Sequence, residues 1–417
     1  MVPYLPRIVD GELESRLSAI GAVVIEGPKA SGKTATATRR AKTIFRLDED
    51  SSVRGLIHNA PDVLFDNPTP ILFDEWQVEP ALWNRVRRQV DDRSDKGLYI
   101  LTGSSTPNDD ATRHSGAGRF GVITMRPMSL TESGHSTGEV SLRALLEGEA
   151  PRGNAEHLDF REVVRRIVIG GWPDLIGADE GAARQWVADY LTQIAEVDVQ
   201  GLGGRRDPRN IRRLLAALGR SVGQATKSTE LARDVGGDDG PIASQTLASY
   251  INALGRLHLV EDSEAWRPHM RSRVRLRQAA VRYLVDPSLG LSALNAGSAD
   301  LLTDLSALGL HFEALVIRDL RIYAQPLRGT IESWRDANGH EVDAIVNVDG
   351  AKWGAFEVKL GHESIDEAAA SLHRFATKVD TGRQGAPAFL GVIVSTGRSA
   401  YRRQDGIDVI PIGCLGP

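Results

Sequence analysis

Gly27-Pro28-Lys29-Ala30-Ser31-Gly32-Lys33-Thr34 satisfies G-x-x-x-x-G-K-[ST] in full. That spacing serves the holding of a nucleoside triphosphate. The glycines let the backbone wrap the phosphates, and N–H groups opening the next helix point at them. Lys33 is suited to the β and γ phosphates, and Thr34 to Mg²⁺. ATP or ADP with Mg²⁺ is therefore the expected cofactor, and the eight residues from Gly27 to Thr34 its expected cradle. A second stretch, ILFDEWQ, is an apolar strand ending in Asp74-Glu75. Asp74 fits a Mg²⁺-steadying role, and Glu75 is placed to orient and polarise an attacking water. A third strand, YILTGSS, ends in the hydroxyls of Thr102, Ser104 and Ser105. They can touch the γ-phosphate or the water, or form an ordinary hydroxyl-rich loop. Arg119, just before the strand FGVITM on what reads as the same edge of the sheet, suits an arginine finger, in its own subunit or toward a neighbour. A structural salt bridge is the other reading.

A separate set of charges lies near the C-terminus. In GAFEVKLG, period-two alternation puts Glu357 and Lys359 on one face of a strand. Asp343, in HEVDAIVNV, precedes Glu357 by 14 residues, which suits a short hairpin between adjacent strands. Residues 310–323, LHFEALVIRDLRIY, read as an amphipathic helix carrying Glu313. The order helix, three strands, helix, strand, with D…E-x-K, resembles the PD-(D/E)xK nuclease superfamily. Glu341-Val342-Asp343 stands where that superfamily often has Pro-Asp. The resemblance implies that Asp343 and Glu357 hold Mg²⁺ or Mn²⁺, with Glu313 as a further ligand, and that the metal activates a water. Lys359 would orient that water or balance charge. The domain either cleaves nucleic acid or only binds and regulates.

Between these ends, STELARDVGGDDGPIASQTLASYINALGRLHLVED reads as a short helix, a turn, a longer helix and a strand. That is a winged-helix pattern. Its wing carries Arg271, Arg273, Arg275 and Arg277 alternating with Ser272, Val274 and Leu276, so four guanidiniums share one face of a strand. Such a row suits phosphates. A solvated face, or pairing with acids of another domain, would use the same pattern.

The elements that must position these residues follow from the alternation of the chain. Residues 21–130 alternate apolar strands (GAVVIEG, TIFRLDED, ILFDEWQ, GLYILTGSS, FGVITM) with helical patterns, one of them opening at Lys33, which argues for a parallel sheet covered by helices. Residues 155–220 read as helical. The region after 305 reads as helix, strands, helix and a last strand, AFLGVIVST. With 417 residues the chain exceeds one core, and 41% apolar and 25% charged residues are ordinary for a soluble protein. A net charge of −5 rules out a generic polyanion binder, so any nucleic-acid contact must be local. The single cysteine, Cys414, excludes an intrachain disulfide and suits a reducing cytoplasm. No signal peptide and no run of about 20 apolar residues is apparent, so no membrane association is expected.

GPKASGKT, FDEWQ, LTGSS, GAGRF, RPMSLTE and Gly170-Gly171-Trp172-Pro173 follow one another in the order of a group of prokaryotic AAA+-like P-loop ATPases. That family carries D-E-x-Q, T-G-S, G-R, P-x-S-x-x-E and G-G-aromatic-Pro elements, then a C-terminal domain of unknown function. The resemblance covers nearly the whole chain. It implies an α/β multidomain fold divided into an ATPase domain (1–150), a helical lid or linker (151–220), a winged helix (221–295) and a restriction-endonuclease-like α/β domain (296–417). It implies an ATP-hydrolysing protein directed at nucleic acid, DNA first, and compatible with a homo-oligomer. The alternative is a nucleotide-dependent switch whose terminal domains only bind partners.

Overall fold

Five short apolar runs become the strands β1 (Ala22–Glu26), β2 (Thr43–Arg46), β3 (Ile71–Asp74), β4 (Tyr99–Gly103) and β5 (Phe120–Thr124). All pair in parallel, in the order β2-β3-β4-β1-β5. The description rests on a computed structural model that covers residues 4–105, 114–204, 206–266, 280–336, 338–348 and 352–417. The sheet belongs to the first of two units, Met1–Pro127 with Asp198–Arg205 and Asn252–Leu259. Helices cover both faces, so the strands read as continuous apolar runs. Val23 and Ile25 pack with Leu13 and Ile100 on one face. Ala22 and Val24 pack with Phe73, Leu82 and Leu101 on the other.

Two elements differ from expectation. The strand read over TIFRLDED stops at Arg46, because the Asp50 carboxylate accepts from the Ser52 and Val53 N–H groups and starts the helix Ser51–Asn59. The helix opened by Lys33 runs only to Thr38. Thr34, Thr36 and Thr38 are β-branched and weak helix formers.

The second unit comprises Met128–Val197, Arg206–Ile251 and Val260–Pro417. It adds β6 (Val140–Ser141), β7 (Gly153–Asn154), β8 (Val260–Ser263), β9 (Val281–Leu284), β10 (Gly329–Arg335), β11 (Glu341–Val348) and β12 (Lys352–Lys359). Then come β13 (Phe389–Val394), β14 (Ser399–Arg402), β15 (Asp408–Pro411) and β16 (Leu415–Gly416). Its main sheet runs β10-β11-β12-β13-β15-β14-β7. β10 to β12 are antiparallel, whereas β12, β13 and β15 are parallel. Helix Leu305–Ala324, three strands, helix Ile365–Lys378 and β13 follow in the order read from the sequence, but β13 is not the last strand. After it the chain turns back through β14 and inserts β15 beside β13.

The hairpin β8–β9 is tied to this sheet. Trp266 N–H donates to Ser333 O at 2.7 Å, and Ser333 N–H donates to Glu264 O at 3.0 Å. Trp266 is fully buried against Trp353 and Phe375, so it packs and offers no platform for a base. The arginine row from 271 to 277 lies outside the described residues. Among the described residues no helix is long and apolar enough to cross a membrane.

A buried charge cluster joins the stretches that flank the sheet. The Arg318 side chain is 2% exposed and pairs with Asp286 at 2.8 Å and Asp319 at 2.7 Å. Asp286 also accepts from Gly171 N–H and from Ser288, and Asp319 accepts from Leu130 N–H at 2.9 Å. The RPMSLTE and Gly-Gly-Trp-Pro stretches therefore meet at one guanidinium. Asp286→Ala leaves Arg318 half-paired in the core and is expected to destabilise this unit by about 3–5 kcal/mol. Denaturant titration followed by tryptophan fluorescence checks it, and an unchanged midpoint would contradict the account.

Candidate functional site

The loop after β1 sits at the carboxyl edge of the parallel sheet, where open α/β sheets bind ligands. Gly27 is required by packing, since a Cβ there would stand 2.0 Å from the Met125 carbonyl oxygen. The buried Arg7 guanidinium donates to Ser31 O and to Arg126 O, both at 2.8 Å, and fixes the loop from beneath. Nothing in the sequence pattern marked Arg7. Lys29 pairs with Asp198 at 2.6 Å. Lys33 is 5% exposed and donates to Pro28 O at 2.7 Å, so its ammonium lies over the loop. Burial pulls its pKa down to about 8, against the opposing pull of Glu75 and Asp74. The Ser31 hydroxyl is fully buried and has no hydrogen-bond partner.

Asp74 ends β3 and receives two hydroxyls on one carboxylate oxygen. Thr34 donates to Oδ1 at 2.8 Å, and Thr102 donates to the same atom. Three separate segments thus converge on Asp74. A threonine hydroxyl beside a carboxylate is an all-oxygen donor set of the kind Mg²⁺ takes, and the orphaned Ser31 hydroxyl in the loop is available to a polar ligand. These residues fit a phosphate-bound Mg²⁺, which would neutralise phosphate charge there.

Glu75 adopts the left-handed region, φ 54°, and opens the 3₁₀ turn Trp76–Val78. Its Oε2 accepts from Ser104 Oγ at 3.1 Å and from Gln77 Nε2. Trp76 is buried and serves packing. Arg119 requires a correction. It precedes β5, whose Phe120 pairs with Ala22, whereas the nucleotide loop follows Glu26 at the other end of β1. In a parallel sheet these are opposite edges, about 15 Å apart at ~3.3 Å per residue. Arg119 pairs with Asp91 at 2.8 Å and does not reach the loop of its own subunit.

In the second unit, β11 and β12 pair with Ala344 opposite Phe356, so Asp343 and Glu357 stand opposite one step further on. Lys359 Nζ is 2.8 Å from Glu357 Oε2 and 3.9 Å from Asp343 Oδ2. Asp343 also accepts from Val358 N–H at 2.7 Å. Glu313 is turned to Tyr283, whose hydroxyl donates to it at 2.6 Å. Glu313 and Asp343 line a cleft of about 310 Å³ with Tyr283, Trp334 and Glu341. The expected metal centre of Glu313, Asp343 and Glu357 is not assembled. Among the described residues no three His, Cys, Asp or Glu side chains are grouped to hold a metal ion. Lys359 lies between two of the carboxylates and Tyr283 engages the third. The sequence reading also passed over Ser371, which donates to Glu357 Oε1 at 2.8 Å, and His340, 2.8 Å from the Ser371 hydroxyl. Ser371 shares the helix Ile365–Lys378 with the buried Ile365, Ala368 and Leu372, whose spacing gives only a core face, and His340 comes from the loop before β11.

Burial, then the neighbouring Glu357, pushes the Asp343 carboxyl up to about 7. Burial and Asp343 push Glu313 well up, although the Tyr283 hydroxyl opposes this. Burial alone would lower Lys359, but Asp343 and Glu357 outweigh it and raise the ammonium.

Residues 20–134 match the family model of an AAA domain. Residues 160–300 match a domain of unknown function (DUF8612), and 308–415 match another (DUF4143). The first unit thus carries an AAA domain, a class of P-loop module that binds and hydrolyses nucleotide. No curated protein matches the chain. Among solved structures, the Walker-type ATPase of Pyrococcus abyssi is 14% identical, with 68% of this chain and 94% of that one covered and a TM-score of 0.41. The structure of Drosophila ORC bound to DNA is 15% identical, with 69% and 85% covered and a TM-score of 0.22. Both likenesses are too loose to support an assignment.

The raised Asp343 carboxyl gives a pH test. Between the ordinary aspartate value of 3.8 and about 7 the folded chain binds a proton that the unfolded chain has released. Stability contributed by this group therefore falls as pH rises through that window. Asp343→Asn should flatten the fall between pH 5 and pH 8, read as the difference in denaturation midpoint between variant and wild type. Parallel curves would contradict the shift.

Proposed function

We propose that the chain is an ATP-binding and ATP-hydrolysing AAA+-like protein that acts on nucleic acid. The observation that carries the catalytic part is the convergence of Thr34, Asp74 and Thr102 beside Glu75 at one edge of the sheet. In this reading Gly27 to Thr34 cradle the phosphates and Lys33 faces the β and γ groups. Ser104 stands by the γ-phosphate. Glu75 accepts a proton from water as the water oxygen bonds to the γ phosphorus. The bond from that phosphorus to the bridging oxygen breaks, leaving ADP and phosphate. An arginine-finger role for Arg119 is directed at the site of a neighbouring copy, which makes a homo-oligomer part of the proposal.

Action on nucleic acid is supported by the order of elements around Asp343, Glu357 and Lys359, and by the sequence pattern of the row from Arg271 to Arg277. We assign ATPase, lid, winged-helix and nuclease-like roles to 1–150, 151–220, 221–295 and 296–417, in a reducing cytoplasm. A second reading, in which nucleotide state switches a C-terminal domain that binds without cutting, draws on the contacts of Lys359. Its ammonium already occupies the space between Asp343 and Glu357.

Lys33→Ala should abolish ATP binding, and Glu75→Gln should bind ATP but lower hydrolysis by about 10²-fold or more. Phosphate release and a fluorescent nucleotide titration read the two effects. Labelled single- and double-stranded DNA and RNA, with Mg²⁺ or Mn²⁺, then separate the readings of the C-terminal domain. Cutting that disappears in Asp343→Ala supports a nuclease. Intact ATP hydrolysis with no cutting on any substrate supports the switch.

A further inference from the structure

We infer that Gln77 is a positioning residue for ATP hydrolysis, holding the Glu75 carboxylate through its side-chain amide; this rests on the ATPase reading above. The backbone places it there. The strand ends at Asp74, Glu75 takes the left-handed conformation, and the 3₁₀ turn that follows brings residue 77 back beside residue 75. The turn is closed by Val78 N–H donating to Glu75 O at 3.0 Å. Without that reversal the chain would carry Gln77 onward and away from the sheet edge.

The hydrogen bonds have one polarity. A carboxylate only accepts, so the Gln77 amide must present Nε2 to Glu75 Oε2. The same Nε2 lies 3.3 Å from Ser104 Oγ, and Ser104 Oγ donates to the same Glu75 oxygen at 3.1 Å. Ser104 follows the end of β4, where it can also face the γ-phosphate. A hydroxyl has one proton to give. When Ser104 turns it to phosphate, Gln77 is the side chain that still holds Glu75.

The other end of the amide is fixed by packing. A Cβ on Gly103 would stand 2.9 Å from Gln77 Oε1 and 2.9 Å from Trp76 Nε1, so residue 103 has no room for a side chain. Oε1 is buried and has no hydrogen-bond partner. A buried acceptor left unpaired is a stability cost, and an apolar side chain of similar size would relieve it. A glutamine retained there for folding alone is therefore poorly explained, whereas one retained to orient the catalytic base is well explained.

The test is steady-state ATP hydrolysis by the full chain, with a fluorescent ATP analogue to measure affinity and thermal melting to measure stability. Gln77→Leu is expected to lower kcat about ten-fold or more, with KM and analogue affinity within about two-fold and no loss of melting temperature. Gln77→Met, apolar and of similar length, provides a second variant should the first misfold, with the same loss of kcat of about ten-fold or more expected. Ser104→Ala combined with whichever of the two folds should approach the rate of Glu75→Gln. In a Glu75→Gln background, Gln77→Leu should add nothing further. The inference is overturned by a kcat within two-fold of wild type, by a loss confined to KM or affinity, or by an undiminished effect in the Glu75→Gln background. A wild type that binds the analogue but hydrolyses no ATP overturns the ATPase reading itself and this inference with it.

Discussion

In a parallel sheet every strand delivers its C-terminal end to the same edge, and the nucleotide site depends on that constraint. Segments around residues 27–34, 74–77 and 102–104 are distant in sequence. They meet because β1 lies beside β4 and β4 beside β3. No loop needs to travel, and the hydroxyls of Thr34 and Thr102 reach one oxygen of Asp74 as a consequence of strand order. The same constraint removes Arg119. A residue that enters a strand of this sheet lies on the far edge, so its chemistry can only be directed outward from its own subunit.

This explains which parts were legible in the sequence. A motif contiguous in sequence carries its own geometry, so the eight-residue loop and the pair Asp74-Glu75 could be read directly. The direction of the edge could be read only with strand order in hand, and Arg119 was misplaced for lack of it. Gln77 was visible as the last letter of D-E-x-Q but had no assigned role, because the strand reads as ending at Asp74-Glu75 and nothing in the residue types shows how the chain turns after it. The left-handed turn at Glu75 is a backbone event that its residue type does not announce. In the C-terminal region the helices and strands were legible from periodicity. The partners of the carboxylates were not, since Tyr283 comes from an earlier hairpin and Ser371 from a later helix.

The second unit handles its buried charges in two ways. Around Arg318 the charges are closed. Two aspartates face one guanidinium, and backbone N–H groups and hydroxyls take the remaining carboxylate oxygens. Such a cluster is satisfied within the protein, and it joins Leu130 and Gly171 to the helix Leu305–Ala324. The motif stretches RPMSLTE and Gly-Gly-Trp-Pro are thus accounted for by architecture.

Around Asp343 the charges are not closed. Asp343 and Glu357 share the one ammonium of Lys359, Glu313 is held by the Tyr283 hydroxyl, and Glu313 and Asp343 line an open cleft. Burial and the neighbouring Glu357 raise Asp343 to about 7. A cation arriving there would have to share Glu357 with Lys359. The hydrogen bond from Ser371 holds Glu357 Oε1, on the side away from Lys359, which contacts Oε2.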